Sequence, residues 1–197
     1  MENTLGSDVM RKTGKMDKSD RRFLTAAEVD RLMVAAGQSK RNGTRNRLMI
    51  LLAFRHGLRR SELVGLRWEA VDFPNALLTV TRLKGGIDSR HPIQADEMRL
   101  IRRWKREQGG NCSWLFHTPQ GSPMLPDSFR KILRKIGKDA GFDFPVHPHM
   151  LRHGCGYALV EQNQNLRSIQ HYLGHKAIKN TLIYTELNPR AFKDFWK

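Results

Sequence analysis

Residues 147–153 read HPHMLRH. Three histidines and one arginine fall in seven positions, and no carboxylate stands between Asp143 and Glu161. A metal ion wants neutral imidazoles and usually an acid beside them, whereas a phosphate wants hydrogen-bond donors and positive charge. A helix is expected after Pro148, running through HMLRHGCGYALVEQ. His149 and His153 then stand one turn apart, with Arg152 on the same helix. A fixed guanidinium charge is a poor neighbour for a cation, so the segment reads as an anion site. His147 and His153 read as structural.

The rest of the chain supports an anionic partner. Its 197 residues carry 35 Lys+Arg against 19 Asp+Glu, a formal charge of +16, and the isoelectric point is about 10.5. An excess of that size, spread along the whole chain, points to a polyanion, nucleic acid first. Two widely separated cysteines, Cys112 and Cys155, have no metal spacing and suit a reducing cytosol. The N-terminus lacks the apolar region of a signal peptide, and no apolar run approaches a membrane span. A cytoplasmic protein with no membrane partner is expected.

The pattern predicts a mainly α-helical α+β fold with one small antiparallel sheet. Residues 1–22 are polar and aperiodic and read as a disordered basic arm; residues 23–197 read as one domain. Thr25 followed by Glu28 forms a capping-box pattern at the first helix. RNRLMILLAFRHG reads as a buried helix stopping at Gly57, and SELVGL as a short helix capped by Ser61. ALLTVTRL and SRHPI alternate like strands around a Gly-Gly turn, with SWLF as a possible third strand. Basic helices follow at ADEMRLIRRWKRE and DSFRKILRKIGKDAG, the latter closed by Gly141. NLRSIQHYL and KAIKNTLIYTEL complete the series. In a helical KAIKNTLIYTEL, Tyr184 lies about 200° from Leu182. It therefore faces away from the Ile178/Leu182 stripe, as an exposed hydroxyl would. Tyr157 and Tyr172 read as packing residues. Phe192, Phe195 and Trp196 share one face, as core or as a subunit contact.

No nucleotide-binding or zinc motif is present. Other segments share the chemistry of HPHMLRH. HGLRRSEL places Arg59 just before a helix N-terminus, and RLKGG places Lys84 on a hairpin tip. In LGHKAIKNTLIYT, His175 precedes Tyr184 by nine residues. These positions are far apart in the chain, and only a fold assembles them.

The ordered series GLRRSEL, LKGG, HMLRH, LGH and Tyr184 resembles the catalytic signature of the tyrosine recombinases, the phage-integrase family. HPHMLRHGCGYAL and the LKGG…HPI hairpin are most like the short bacterial invertases of the fimbrial switch. The resemblance implies Tyr184 as nucleophile, with Arg59, Lys84, His149, Arg152 and His175 as the other catalytic residues. It also implies Glu62 as the acid that holds the site together, and neither metal nor nucleotide cofactor. The expected partners are double-stranded DNA at paired recombination sites and further copies of the chain as a dimer or tetramer. An accessory DNA-bending protein is a further candidate. Most members carry an N-terminal domain that closes a clamp on DNA; here the basic arm is expected to take part of that role.

Residue chemistry agrees with this. Forming a phenolate at pH 7 from an ordinary tyrosine costs roughly 4 kcal/mol, which a cationic pocket reduces. Arg59 and Arg152 offer forked bonds to nonbridging phosphate oxygens that strengthen as charge builds in the transition state. His175 adds a bond, Lys84 is an acid for the leaving 5′-oxygen, and His149 is an acceptor for the Tyr184 proton. The expected function is site-specific DNA recombination through a 3′-phosphotyrosine, inversion first and integration or excision second. A DNA-binding transcriptional regulator on the same fold and a histidine-metal hydrolase are the alternatives.

Overall fold

The computed structural model describes residues 21–39, 42–83, 85–110 and 112–185. The chain begins with α1 (Ala26–Gly37), whose capping box is formed as the sequence predicts. The Thr25 hydroxyl accepts from the Glu28 N–H, and the Glu28 carboxylate accepts from the Thr25 N–H at 2.9 Å. Arg21 also grips that carboxylate at 2.6 Å, so this arm cation is tied to the helix start.

The central element is α2 (Gly43–Arg55), buried continuously from Leu48 to Ala53 and packed between α1, α4 (Ala95–Gln108) and α6 (Pro148–Glu161). It stops at Gly57, whose φ of +56° suits glycine. A Cβ there would also lie 2.4 Å from Leu173. The short α3 (Arg60–Val64) follows directly, and its N-cap is Arg59 rather than Ser61. The Glu62 carboxylate accepts from the Arg59 N–H at 2.9 Å, so an acid three residues into the helix replaces the expected serine.

The sheet has three antiparallel strands in the order β1 (Val71–Asp72), β2 (Leu77–Val80), β3 (Ser89–Pro92). SWLF is not the third strand. Trp114 makes only an isolated bridge to Arg67, and the edge position is taken by Val71–Asp72. Strand pairing ends at Val80↔Ser89, so eight chain positions separate the two strands where a Gly-Gly turn would need two. The loop is held from inside, where the Asp88 carboxylate accepts from the Arg82 N–H at 2.7 Å.

The remaining helices are α5 (Pro126–Asp139), α7 (Leu166–Leu173) and α8 (Lys179–Leu182). Asn165 caps α7, and Gly174 in the left-handed region ends it. Two apolar clusters result. The larger one draws on α1, α2, α4, α5 and the sheet; the smaller holds Cys155, Ile169, Leu173 and Tyr184. The helix α6 runs through both. Among the described residues no helix is long and apolar enough to cross a membrane.

Candidate active site

Glu62 is the hub on one side. Its side chain is almost wholly buried, yet it faces two guanidinium groups: Arg59 Nη1 donates to one carboxylate oxygen at 2.7 Å and Arg82 Nη1 to the other at 2.8 Å. Burial alone would raise its pKa. The bonds from the Arg59 backbone and guanidinium, together with Arg82, outweigh burial and hold the carboxyl below its ordinary value. Arg59 is the outward-facing member, with its side chain 29% exposed. Among the described residues Glu62 alone meets its guanidinium, so the remaining donors of the fork are available to an anion.

Arg152 enters from the second turn of α6 and is 4% exposed. It donates to the carbonyl of Gly57 and, at 2.6 Å, to the carbonyl of Leu173. The end of α2 and the end of α7 are thus both fastened to it. Burial, then the charges of Arg59 and Arg82, push its pKa down to about 10. The group remains protonated at neutral pH, but three guanidinium charges sit around one carboxylate. A bound phosphate would relieve that crowding.

His175 follows the left-handed Gly174 and is buried, its Nδ1 3.0 Å from the Thr181 hydroxyl. Burial first, then Arg152 and Arg59, push its pKa down to about 4, so it is neutral at physiological pH.

Tyr184 departs from the sequence expectation. The phenol is 1% exposed and belongs to the smaller apolar cluster, while Leu182 (42%) and Ile183 face outward. Tyr184 and Leu182 do face opposite ways, but solvent lies on the leucine side. The reason is Gly156. A Cβ at that position would lie 2.4 Å from the phenol Cζ, so the missing side chain is the slot that admits the ring. Tyr157 packs edge-on against the ring with centroids 5.1 Å apart, and His175 stacks at 6.3 Å. Burial, the largest influence, raises the phenol pKa to about 12; the nearby charge of Arg152 opposes it without prevailing. The expected net lowering by a cationic pocket is therefore not what this state shows.

The imidazole that reaches the phenol is His153, with Nδ1 3.3 Å from the Tyr184 oxygen. His149, one turn earlier, is exposed; its pKa is lowered by partial burial and by Arg152, Arg60 and Arg59. Lys84 lies outside the described residues, as do Phe192, Phe195 and Trp196. Arg59, His149, Arg152, His175 and Tyr184 thus come together from four parts of the chain, with Glu62 beneath them. Sequence reading missed Arg82 and His153 as members of the cluster. Arg82 left no motif, only a position two residues before Lys84. His153 looked structural because nothing local showed that Tyr184 returns to the second half of α6.

The model for the phage integrase family matches residues 22–190. The chain belongs to the phage integrase family. It is a tyrosine recombinase by family, as the ordered motif series implied. The type 1 fimbriae regulatory protein FimE of Escherichia coli strain K12 is 38% identical over 184 residues, 91% of this chain and 92% of FimE. FimB of the same strain is 35% identical over 186 residues, 92% of each chain. Tyrosine recombinase XerA of Pyrococcus furiosus is 32% identical over 183 residues, 91% of this chain but 62% of XerA. The crystal structure of XerA recombinase superposes with a TM-score of 0.76 at 25% identity, covering 88% of this chain and 63% of that one. XerH recombinase bound to its palindromic difH substrate in a post-cleavage complex gives 0.75 at 23% identity, covering 89% and 52%, a likeness of fold. This integrase-family chain therefore spans nearly the whole of FimE and FimB, and between half and two thirds of those longer recombinases.

Proposed function

We propose that the chain is a site-specific DNA recombinase that cuts and rejoins double-stranded DNA through a 3′-phosphotyrosine on Tyr184, and that inversion of a DNA segment is its reaction. The observation that carries the reading is one pocket. It sets the Tyr184 phenol beside an imidazole and within the field of Arg152 and Arg59, in a chain 38% identical to FimE.

In this reading Arg59 and Arg152 bind the nonbridging oxygens of one phosphodiester and gain strength as negative charge grows on them. His175, its Nδ1 paired with the Thr181 hydroxyl, donates a further bond to the same phosphate from Nε2 in the tautomer that carries its hydrogen there. The phenol oxygen attacks phosphorus, the P–O5′ bond breaks, and the phenol proton passes to an α6 imidazole. Residue chemistry names His149 as the acceptor; His153 is the one within reach in this state. Lys84 supplies a proton to the departing 5′-oxygen. A 5′-hydroxyl from a partner strand reverses the step, so bond energy is conserved. Exchange between two sites requires more than one copy of the chain, as a dimer or tetramer, and an accessory DNA-bending protein would help to pair them.

With the phenol at about pKa 12, ionisation at pH 7 costs about 7 kcal/mol in the buried state. Burial of the phenol also supports a second reading, a DNA-binding regulator that does not cut. Covalent capture separates the two. Wild type and Tyr184→Phe are incubated with fragmented DNA from the cells that encode the chain, then denatured in detergent. The recombinase reading predicts protein-linked fragments with wild type alone. Equal retention of DNA before denaturation, with none linked afterwards in either sample, supports the regulator.

A further inference from the structure

Arg82 is more deeply buried than any other arginine of the site. Its side chain is 0% exposed and lies between the strand loop and the end of α7. It makes four contacts of one kind, donation to oxygen. Nη1 reaches the Glu62 carboxylate at 2.8 Å and the Gly57 carbonyl at 3.3 Å; Nη2 reaches the His56 carbonyl at 3.1 Å and the Tyr172 carbonyl at 2.5 Å. An isolated buried guanidinium is costly, and burial indeed lowers its pKa while Glu62 opposes the lowering. The shape of the fold around it is specific as well. A Cβ on Gly174 would lie 2.6 Å from Arg82 Cγ, and one on Gly86 would lie 2.7 Å from Arg82 Cβ. Two glycines leave the path along which this side chain runs.

The two oxygens that Arg82 Nη1 holds are not arbitrary. Glu62 is the carboxylate that fixes Arg59, and the Gly57 carbonyl also receives Arg152. The Tyr172 carbonyl adjoins Leu173, whose own carbonyl takes the other Arg152 nitrogen. Among the described residues Arg82 is therefore the one side chain that joins the support of Arg59 to the support of Arg152.

We propose that Arg82 is a positioning residue for phosphate activation. By clamping Glu62 to the Gly57 carbonyl, it sets the Arg59 and Arg152 guanidinium groups at the spacing one phosphodiester requires. It touches neither DNA nor the reacting atoms. A lysine cannot replace it, because one ammonium lacks the planar fork that spans carboxylate and carbonyls together. The inference rests on the recombinase reading above.

The test uses the full chain and a nicked duplex of a sequence captured by wild type. The scissile linkage is either the natural phosphodiester or a methylphosphonate, in which a methyl group replaces one nonbridging oxygen and removes the charge. A pocket whose two guanidinium groups are misplaced suffers most on the charged linkage. Arg82→Lys is expected to lower the rate of covalent complex formation about a hundredfold on the phosphodiester. On the methylphosphonate the loss should shrink to within about threefold, with DNA affinity unchanged by the same margin. Arg82→Met should follow the same pattern; if it fails to fold, Arg82→Lys carries the test alone. Equal losses on both linkages, or an unchanged rate on the phosphodiester, overturn the positioning role. A wild type that captures no DNA at all overturns the recombinase reading, and this proposal with it.

Discussion

His153 Nδ1 lies 3.3 Å from the phenol oxygen of Tyr184, and the two rings are 5.9 Å apart. Burial, then His149 and Arg152, push the imidazole pKa down to about 4. It is a neutral partner throughout the physiological range, able to accept a proton but with little basicity of its own. His153→Ala should slow covalent capture about a hundredfold or more, and His153→Gln should retain part of the rate by preserving the contact. The pH profile of wild type should lose activity only as pH falls toward 4, where the imidazole becomes charged. A loss centred near 6.5 would instead indicate an imidazole with an ordinary environment.

The buried phenol gives a prediction independent of DNA. The chain has three tyrosines. Subtracting the ultraviolet titration of Tyr184→Phe from that of wild type isolates the phenol in question. Its ionisation should centre near pH 12 in the free protein. A transition near pH 10 would mean that solvent reaches the ring and that Gly156 does not form the slot described above.

Acid should destabilise the fold in a defined window. His153 and His175 are pushed down to about 4 and His91 to about 3, burial being the largest cause in each. In the unfolded chain all three bind protons near the ordinary 6.5. Between 6.5 and 4 the unfolded state therefore holds more protons, and stability falls as pH drops. Above 6.5 this contribution is flat. Carboxyls such as Glu62, held below their ordinary value, add to the loss only further down. The melting temperature should drop by about 5 °C or more between pH 6.5 and 5 at constant salt. A melting temperature that stays level across that interval would contradict the burial of these imidazoles.

The arm gives an ionic-strength prediction. Arg21 is held by Glu28 and lies over the Phe144 ring, so it is part of the domain edge. Arg11, Lys12, Lys15 and Lys18, with the exposed Arg22 at the domain edge, remain as the arm cations proposed to meet phosphates. Deleting residues 1–20 should flatten the log–log salt dependence of DNA affinity by about 0.9 for each lost phosphate contact. An unchanged slope would remove the arm from the interface.

The sequence revealed most where its signals were local. The capping box at Thr25 and Glu28, the buried run Leu48–Ala53 and the Pro148 start of α6 all depend on neighbours within a turn or two, and they appear as predicted. The ordered motifs pointed to a family, and the comparisons place the chain in it. What could not be read depended on contacts across the fold. Tyr184 faces inward because α6 offers a gap at Gly156, 28 positions earlier. SWLF stays outside the sheet because its backbone bonds go to Leu66 and Trp68, which belong to none of the three strands. Arg82 carries no motif because its partners are mostly backbone carbonyls, which no side-chain pattern records.

The central claim is that basic side chains converge on one DNA linkage and the Tyr184 oxygen severs it. The most direct measurement is mass spectrometry of the captured complex after digestion with protease and nuclease. The account predicts one adduct, a nucleotide joined by its 3′-phosphate to Tyr184, with a free 5′-hydroxyl on the released strand. A 5′-phosphate link, an adduct on Tyr157 or Tyr172, or an adduct that persists in Tyr184→Phe would contradict it.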